Sequence, residues 1–149
     1  MINTISIKTK FGWISVSEIK GKIFKIKFGK TRKQTQSKTL HLFRKNLNKF
    51  LLRKSPYIKA NYKTKGNKIQ KKIWNELKKI RMGETKSYGQ IAKKYKISPR
   101  HVGKICGQNN LLLAVPCHRV IKSDGSLGGF SSSGGIKLKK KLLEFEKHA

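Results

Sequence analysis

The chain has 149 residues, with 37 lysines and arginines against 6 aspartates and glutamates, so its formal net charge is +31. A length of about 150 residues fits one domain or two small ones, and 36% hydrophobic residues suffice for a modest core. The charge favours a polyanionic partner, such as nucleic acid or an anionic membrane surface, whereas no apolar run approaches the roughly 18 residues of a membrane span. Because the N-terminus also lacks the apolar stretch of a secretory signal, we expect a cytoplasmic protein that does not associate with membranes.

The two cysteines, Cys106 and Cys117, are too few for a disulfide scaffold. Reduced thiols are the default in the cytosol, although a bridge between the two stays open. Neither cysteine lies in a Cys-x-x-Cys pair or in a Cys/His cluster with the spacing of a zinc site. We therefore predict no bound metal.

The first third of the chain has the pattern of a small antiparallel sheet. Residues 5–8, 13–16 and 23–28 are rich in β-branched and aromatic side chains, and Gly12 and Gly21 mark the turns between them. A helix is predicted next, because apolar residues recur at helical spacing. These residues are Leu40, Phe43, Leu47, Phe50 and Leu51. Three strands and a helix would form a minimal α/β unit.

A polar stretch from Ser55 to Lys68 separates this unit from the rest of the chain. It contains Pro56 and Gly66, which are typical of a connection rather than of a helix or strand. We place the domain boundary here, with a small α/β domain at 1–64 and a mainly helical domain at 65–149.

The second domain is predicted to be mainly helical. An apolar stripe over residues 69–80 predicts a helix that ends near Gly83. Residues 88–95 and 100–106 predict two short helices, the second beginning after Ser98 as N-cap and a proline. Two short helices joined by a tight turn are typical of a helix-turn-helix, although many such hairpins bind nothing.

The last third combines an apolar run, a loop and a helix. Residues 111–115 are apolar enough to be buried whether they form a strand or a helix. Residues 122–126 form a cluster of turn-forming residues, and residues 127–135 are rich in glycine and serine. A final helix is predicted over residues 136–148.

Cys117 is the residue whose side chain most clearly suggests covalent chemistry. A thiol acts as a nucleophile in its thiolate form, which a nearby base or positive charge favours. His118 and Arg119 follow directly, but neighbouring side chains on a strand point to opposite faces, so a Cys–His contact requires a turn or a water. Two interpretations stay open at this point: an activated thiol, or a buried structural cysteine beside an exposed His–Arg pair.

The pentapeptide PCHRV at Pro116–Val120 resembles the active-site motif of the O6-alkylguanine-DNA alkyltransferases. Further motifs of that family occur in the same order along the chain. The residues that resemble them are Ser87–Ala92 (SYGQIA), Arg100 with Val102-Gly103, Asn109, Gly125 with Leu127–Ser131, and Leu142-Leu143 with Glu146. The resemblance covers the chain from about Ile69 to its end, and the N-terminal part agrees only in general pattern.

The resemblance implies a stoichiometric alkyl transfer in DNA repair. The family flips O6-alkylguanine out of duplex DNA and moves the alkyl group irreversibly to the active-site cysteine, here Cys117. It implies no cofactor, double-stranded DNA as partner, non-specific binding to undamaged DNA, and a monomer. It also implies an N-terminal domain similar to a ribonuclease-H-like unit. O4-alkylthymine stays open as a second substrate.

Catalytic roles follow from the same resemblance. His118 would take the thiol proton through a water, and Glu146 would orient His118. Asn109 would fix the turn around the thiol, and Tyr88 would donate a hydrogen bond to a ring nitrogen of guanine and help the base leave. From residue type alone, Glu146 would be a solvated helix-end acid, Asn109 a turn residue and Tyr88 a packing residue.

Substrate contacts are implied in the loop and beside the cysteine. Ser131 would bond to O6 of guanine, and the backbone carbonyl of Val120 would accept its exocyclic amine. Gly128 and Phe130 belong to the same pocket loop, and many family members have tyrosine at the position of Phe130.

DNA contacts are implied mainly for the second short helix, which the family places in the minor groove. Arg100 would enter the space left by the flipped base, and Gly103 would allow close approach to the DNA. Ser87 and Arg119 are also expected to contact DNA.

Two other classes of function stay open. A non-catalytic lesion sensor or helix-turn-helix regulator would bind DNA without reacting, but sensors of this kind typically have tryptophan where this chain has Cys117. A cysteine hydrolase would need an oxyanion hole, which no motif identifies. The excess charge would serve DNA search through counterion release, or would reflect adaptation of the proteome to heat, salt or a lysine-biased genome.

Overall fold

A computed structural model describes residues 1–130 and 134–147. The chain divides into two compact units, one of Met1–Lys65 with Asn110–Ala114 and one of Gly66–Asn109 with Val115–Ala149. None of the helices in the described residues is long and apolar enough to cross a membrane.

The first unit contains the predicted antiparallel meander. Its strands are β1 (Ile2–Thr9), β2 (Gly12–Ile19) and β3 (Lys22–Phe28), in the order β1-β2-β3. The first two strands pair in register from the Ile2–Ile19 pair to the Thr9–Gly12 pair, and β2 has a bulge between Ser17 and Glu18 where it pairs with β3. The prediction of three strands is confirmed, and each strand is longer than the apolar run that indicated it.

Helix α1 (Lys38–Leu51) covers one face of this sheet. The Oγ of Ser37 accepts a hydrogen bond from the backbone N–H of Leu40, which caps the helix. Four of the five predicted inward residues are buried, whereas Leu51 is half-buried because it lies in the last position of the helix.

The segment Asn110–Ala114 pairs with the edge strand β3. The N–H of Ile26 donates to the carbonyl of Asn110 at 2.8 Å, and the N–H of Leu112 donates to the carbonyl of Ile26 at 3.2 Å. Leu111, Leu112 and Leu113 are buried, as the apolar run predicted. The run therefore pairs with part of the β3 edge, and residues 61–63 pair with the same edge at Ile23.

The second unit is mainly helical, as predicted. It contains α2 (Lys68–Leu77), α3 (Tyr88–Tyr95), α4 (Pro99–Gly107) and α5 (Gly135–Lys147). The short strands β4 (Lys86–Ser87) and β5 (Val120–Ile121) form a two-residue parallel pair.

Helix α2 ends earlier than the apolar stripe indicated. The stripe reaches Ile80, which is buried, but the helix ends at Leu77. The N–H of Ile80 donates to the carbonyl of Leu77 at 3.0 Å, an i to i+3 bond that tightens the chain after the helix. The apolar stripe therefore predicts the burial of Ile80 correctly, although the backbone is no longer α-helical at this residue.

Helices α3 and α4 follow each other closely. Lys96 has a left-handed backbone (φ 56°) and ends α3. Ser98 caps α4 by accepting from the N–H of His101, and Pro99 occupies the first turn. Both Ser98 and Pro99 are where the sequence predicted the second helix to begin.

Candidate active site

Cys117 lies at the start of a short 3-10 turn, Cys117–Arg119, that directly precedes β5. Its side chain is buried, with 4% exposed. The side-chain amide of Asn109 donates to the carbonyl of Val115 at 2.8 Å and to the Sγ of Cys117 at 3.3 Å. One amide thus holds both the turn before the cysteine and the sulfur itself.

The turn places His118 against Glu146 of α5. The Nε2 atom of His118 lies 3.0 Å from the Oε2 atom of Glu146, and both side chains are about 1% exposed. This burial rules out the interpretation of Cys117 as a cysteine beside an exposed His–Arg pair. It also shows that Glu146 is not a solvated helix-end acid.

Arg119 is buried as well, in contrast to the expectation that it contacts DNA. Its Nε and Nη2 atoms donate to the two oxygens of Glu146 at 2.8 and 2.7 Å, and its Nη1 atom donates to the carbonyl of Ile80 at 2.8 Å. A guanidinium fork matches a carboxylate in this bidentate way. Arg119 is therefore an internal partner of Glu146 and cannot reach a phosphate from this position.

These contacts determine the charge states at the site. Burial opposes ionisation of Glu146, but hydrogen bonds from Arg119 and His118 lower its pKa to about 2. Burial lowers the pKa of His118, against the effect of Glu146, so the imidazole is neutral. Because an ionised carboxylate only accepts hydrogen bonds, the proton of His118 lies on Nε2, and Nδ1 is left as an acceptor.

The thiol of Cys117 is shifted toward its protonated form. Burial raises its pKa, while the hydrogen bond from Asn109 and the charge of Lys139 act in the opposite direction. A buried thiol with a raised pKa needs a base before it can attack, and a neutral His118 next to it in the chain is of the right type. Cys106 is also buried, and both cysteines are free, so the alternative of a disulfide between them is wrong for this structure.

Lys139 is a site residue that the sequence analysis missed. It is fully buried, and its Nζ atom donates to the carbonyls of Val120 (2.7 Å) and Gly129 (3.2 Å) and to the Oη of Tyr88 (3.3 Å). Burial lowers its pKa, and the two cysteine thiols counter that shift. Its position in the sequence could have indicated that it lies at the site, because residue 139 is seven positions before Glu146 and therefore on the same side of α5.

Tyr88 and the start of α4 line an open pocket of about 590 Å³. Its lining residues are Tyr88, Pro99, Arg100, Gly103, Lys122, Ser123, Gly128 and Gly129. Burial raises the pKa of the Tyr88 phenol to about 12, so it keeps its proton at neutral pH. Gly128 has a positive φ of 71°, and a Cβ there would lie 3.1 Å from the Tyr88 ring, so glycine is required.

The other predicted site residues are Ser87, Phe130 and Ser131, and the structure describes the first two. Ser87 is half-buried, and its Oγ accepts the N–H of Gln90 as the cap of α3, so this oxygen is already used within the chain. Phe130 is half-buried at the end of the described part of the loop. Ser131 lies outside the described residues.

No cluster of three or more His, Cys, Asp or Glu side chains suited to a metal occurs in residues 1–130 and 134–147.

Comparison with known proteins places this arrangement in a family. A family model for the DNA-binding domain of 6-O-methylguanine DNA methyltransferase matches residues 68–148. The chain is 49% identical to a methylated-DNA–protein-cysteine methyltransferase of Sulfolobus acidocaldarius over 80 residues, which are 54% of this chain and 50% of the relative. It spans about half the length of that relative and of several others. A protein of the same name from Metallosphaera sedula is 32% identical over 149 residues, 98% of this chain and 94% of the relative.

The fold is also similar to that of a solved structure. A crystal structure of Mycobacterium tuberculosis OGT in complex with DNA has a TM-score of 0.86 and 28% sequence identity, and covers 98% of this chain and 93% of that chain. The family model accounts for more than half of the chain, and the Metallosphaera sedula relative for nearly all of it. This chain therefore belongs to the O6-methylguanine-DNA methyltransferase family.

Proposed function

We propose that this protein repairs DNA by direct reversal, transferring the alkyl group of O6-alkylguanine in duplex DNA to Cys117. The observation that carries this proposal is the thiol of Cys117, held by Asn109 at 3.3 Å and followed in the chain by a buried His118–Glu146 pair. Such a set is suited to remove the proton from the thiol and so to activate the sulfur as a nucleophile.

The reaction needs no cofactor. His118 takes the thiol proton through a water, and the sulfur attacks the alkyl carbon in an in-line displacement. The carbon–O6 bond breaks, and its electron pair returns to the purine. A hydrogen bond donated by the Tyr88 hydroxyl to a ring nitrogen stabilises the departing base, and the proton lost by the thiol balances the proton that guanine gains. The products are guanine and a thioether on Cys117. Because a thioether does not revert to a thiol in water, each molecule acts once.

Recognition of the base uses the pocket beside Tyr88. The carbonyl of Val120 already accepts a hydrogen bond from Lys139, and a carbonyl has a second lone pair for the exocyclic amine of guanine. Gly128 lines this pocket, Phe130 follows two positions later in the same loop, and Ser131 bonds to O6. O4-alkylthymine lacks the exocyclic amine, so we expect it to be a poorer substrate.

DNA binding uses α3 and α4 as a helix-turn-helix. Arg100 is exposed at the start of α4 and lines the pocket with Tyr88, which suits a side chain that replaces a flipped base. Gly103 allows the helix to approach the minor groove closely. Residues 65–149 would carry this activity, and residues 1–64 would form a ribonuclease-H-like domain. The whole protein would act on DNA as a monomer in the cytoplasm.

The test of transfer is intact-protein mass after incubation with a duplex containing O6-methylguanine. We expect a single increment of one CH2, because a methyl group replaces the thiol hydrogen. Cys117→Ala and an unmodified duplex serve as controls and should give no increment. A folded protein that binds the duplex without gaining mass would indicate a lesion sensor or regulator. Repeated product formation by unmodified protein would indicate a hydrolase.

Replacement of Arg100 separates base flipping from thiol chemistry. Arg100→Ala should slow transfer from duplex DNA, because nothing would fill the space of the extruded base. Transfer from free O6-benzylguanine should be unchanged, because no base has to be extruded. Lys104→Ala, an exposed cation on the same helix, is the matched control. An equal loss of both reactions in Arg100→Ala would contradict the proposed role.

A further inference from the structure

The sheet of the first unit has two different faces. Along each strand, successive residues point to opposite sides of the sheet, and residues paired across two strands share a side. One face packs against α1 through buried apolar rows, such as Ile5, Val16 and Ile26. The other face, called the outer face below, carries different residues. Its three rows are Thr4, Ser17 and Lys25; Ser6, Ser15 and Lys27; and Lys8 with Trp13.

The chain after β3 crosses this outer face. The Oγ of Ser15 donates to the carbonyl of Gly29 at 2.6 Å, and the N–H of Thr31 donates to the Oγ of Ser6 at 2.8 Å. The N–H of Thr35 then donates to the carbonyl of Thr4 at 2.8 Å, on the far strand. The serine and threonine side chains of the outer face are buried under this crossing segment. The segment also adds residues of its own to the outer face, such as Lys30.

The outer face is basic and, within the described residues of the first unit, carries no acid. Its exposed cations are Lys8, Lys25, Lys27, Lys30, Arg32 and Lys33. The first unit contains 18 of the 37 basic residues of the chain but a single acid, Glu18. Glu18 is 4% exposed and accepts from Asn3 and from the N–H of Gly21, on the side of the sheet that α1 covers. The charge of these cations is therefore not neutralised within the unit.

In the second unit, some lysines do lie beside a carboxylate. There Lys79, Lys86 and Lys94 lie within 3.5 Å of the carboxylate of Glu76. On the outer face, the ammonium of Lys30 instead lies 4.7 Å from the ring centroid of Trp13. An aromatic ring positions a cation without cancelling its charge, so this ammonium stays available to an external anion.

From these observations we propose that the outer face of the N-terminal sheet is a second DNA-contacting surface, which binds the phosphate backbone of duplex DNA independently of α3 and α4. The inference rests on the proposed function, because a protein that repairs duplex DNA has this polyanion as its partner. Alternate residues of a strand lie about 6.7 Å apart, so Lys25 and Lys27 present two cations in line. Contacts of this kind release counterions from DNA and carry no sequence information.

The test compares two variants with equal loss of charge in the same unit. The first changes Lys8, Lys25, Lys27 and Lys30 to glutamine. The matched control changes Lys38, Lys45, Lys49 and Lys54 to glutamine, which are exposed on or just after α1 and so belong to the opposite side of the sheet. Binding to a short undamaged duplex is measured across a salt series. The slope of log affinity against log salt should weaken by about 0.9 for each phosphate that the variant no longer neutralises.

We expect the outer-face variant to bind at least tenfold more weakly and to show a clearly smaller salt dependence, with the α1 variant close to wild type. A Lys→Arg version of the outer-face variant should restore binding. Equal effects of the two glutamine variants, or no effect of either, would overturn the proposal. So would loss of binding to phosphatidylserine vesicles with unchanged binding to DNA.

The same samples separate this proposal from the proposed function. All variants should react with free O6-benzylguanine at the wild-type rate. The changed residues are far from Cys117 in the sequence, and they belong to the first unit whereas Cys117 belongs to the second. If the wild-type protein gains no mass from a methylated duplex, the transfer function fails whatever the binding data show. If it gains mass and the two variants bind alike, only the second surface fails.

Discussion

At the scale of single residues, the site consists of a thiol that burial keeps protonated and an imidazole that burial keeps neutral. The pKa of Cys117 is raised and that of His118 is lowered, each mainly by burial. Neither group is charged before substrate binds, so attack requires the transfer of a proton from sulfur to nitrogen. The buried charges around them, Glu146 with Arg119 and Lys139, bias that transfer.

Replacement of Lys139 should slow alkyl transfer. Lys139 lowers the pKa of the Cys117 thiol and holds both Tyr88 and the carbonyl of Val120. In Lys139→Met we expect the single turnover with free O6-benzylguanine to be slower, because the thiol loses a positive charge that favours its thiolate and Tyr88 loses a hydrogen-bond partner. Lys140→Met, the exposed neighbour, is the control. Equal rates in the two variants would show that the buried cation plays no part in the reaction.

Arg119 and Glu146 should behave as a coupled pair in stability. Removal of one partner of a buried ion pair leaves an uncompensated charge, which costs about 3–5 kcal/mol. We expect Arg119→Met and Glu146→Gln each to lower the free energy of unfolding by that amount, and the double variant to lose less than the sum. Urea unfolding of the three proteins measures this coupling. Strict additivity would mean that the two side chains do not stabilise each other.

At the scale of helices and strands, Glu76 links three elements of the second unit. From α2, its carboxylate accepts from Lys94 at 3.0 Å and from the hydroxyl of Tyr95 at 2.8 Å on α3, and it lies 3.5 Å from Lys86 of β4. Burial opposes its ionisation, but the hydrogen bonds from Lys94 and Tyr95 lower its pKa to about 2. One carboxylate thus holds α3, and with it the start of the α3–α4 pair.

This lowered pKa predicts a specific pH dependence. The folded protein holds the proton of Glu76 less tightly than the unfolded chain, so its stabilisation is complete above about pH 4.5 and is lost as pH falls toward about 2. The free energy of unfolding of Glu76→Gln should be about 1.5–3 kcal/mol lower than that of wild type at pH 7, the value of hydrogen bonds to a charged group, and the two should converge near pH 2. Glu84→Gln, at an exposed acid, should match wild type throughout. Thermal unfolding from pH 2 to 7 tests this, and a constant difference across that range would contradict it.

At the scale of the whole molecule, the net charge of +31 opposes folding through self-repulsion. Of the 6 acids, Glu76 and Glu146 are 2% exposed and pair with lysines and an arginine of the second unit. Glu18 is buried and accepts hydrogen bonds from uncharged groups, and the other three acids are exposed. Most of the positive charge therefore stays on the surface, where salt and DNA phosphates screen it.

Added salt should stabilise the free protein and weaken its binding to DNA. We expect the melting temperature to rise between low and physiological NaCl, because screening reduces repulsion among surface lysines. The fourfold outer-face glutamine variant, which carries less charge, should show a smaller rise. Differential scanning fluorimetry without DNA measures both. A melting temperature that is independent of salt would show that the surface charge does not destabilise the fold.

The sequence by itself determined the features that depend on neighbouring residues. Gly12 and Gly21 marked the turns of the meander, Ser98 with proline marked the start of α4, and the PCHRV pentapeptide identified the family. Turn and cap preferences act over a few residues, and a motif is read directly from the chain.

Only the tertiary structure decided which charged side chains are buried. Arg119 and Lys139 look like surface cations among 37 basic residues, yet one binds Glu146 and the other lies against Tyr88. Likewise, the pairing of Asn110–Ala114 with β3 joins segments more than 80 residues apart. Burial of a charge is decided by partners distant in sequence, and these are set by the packing of the whole unit, which local patterns do not encode.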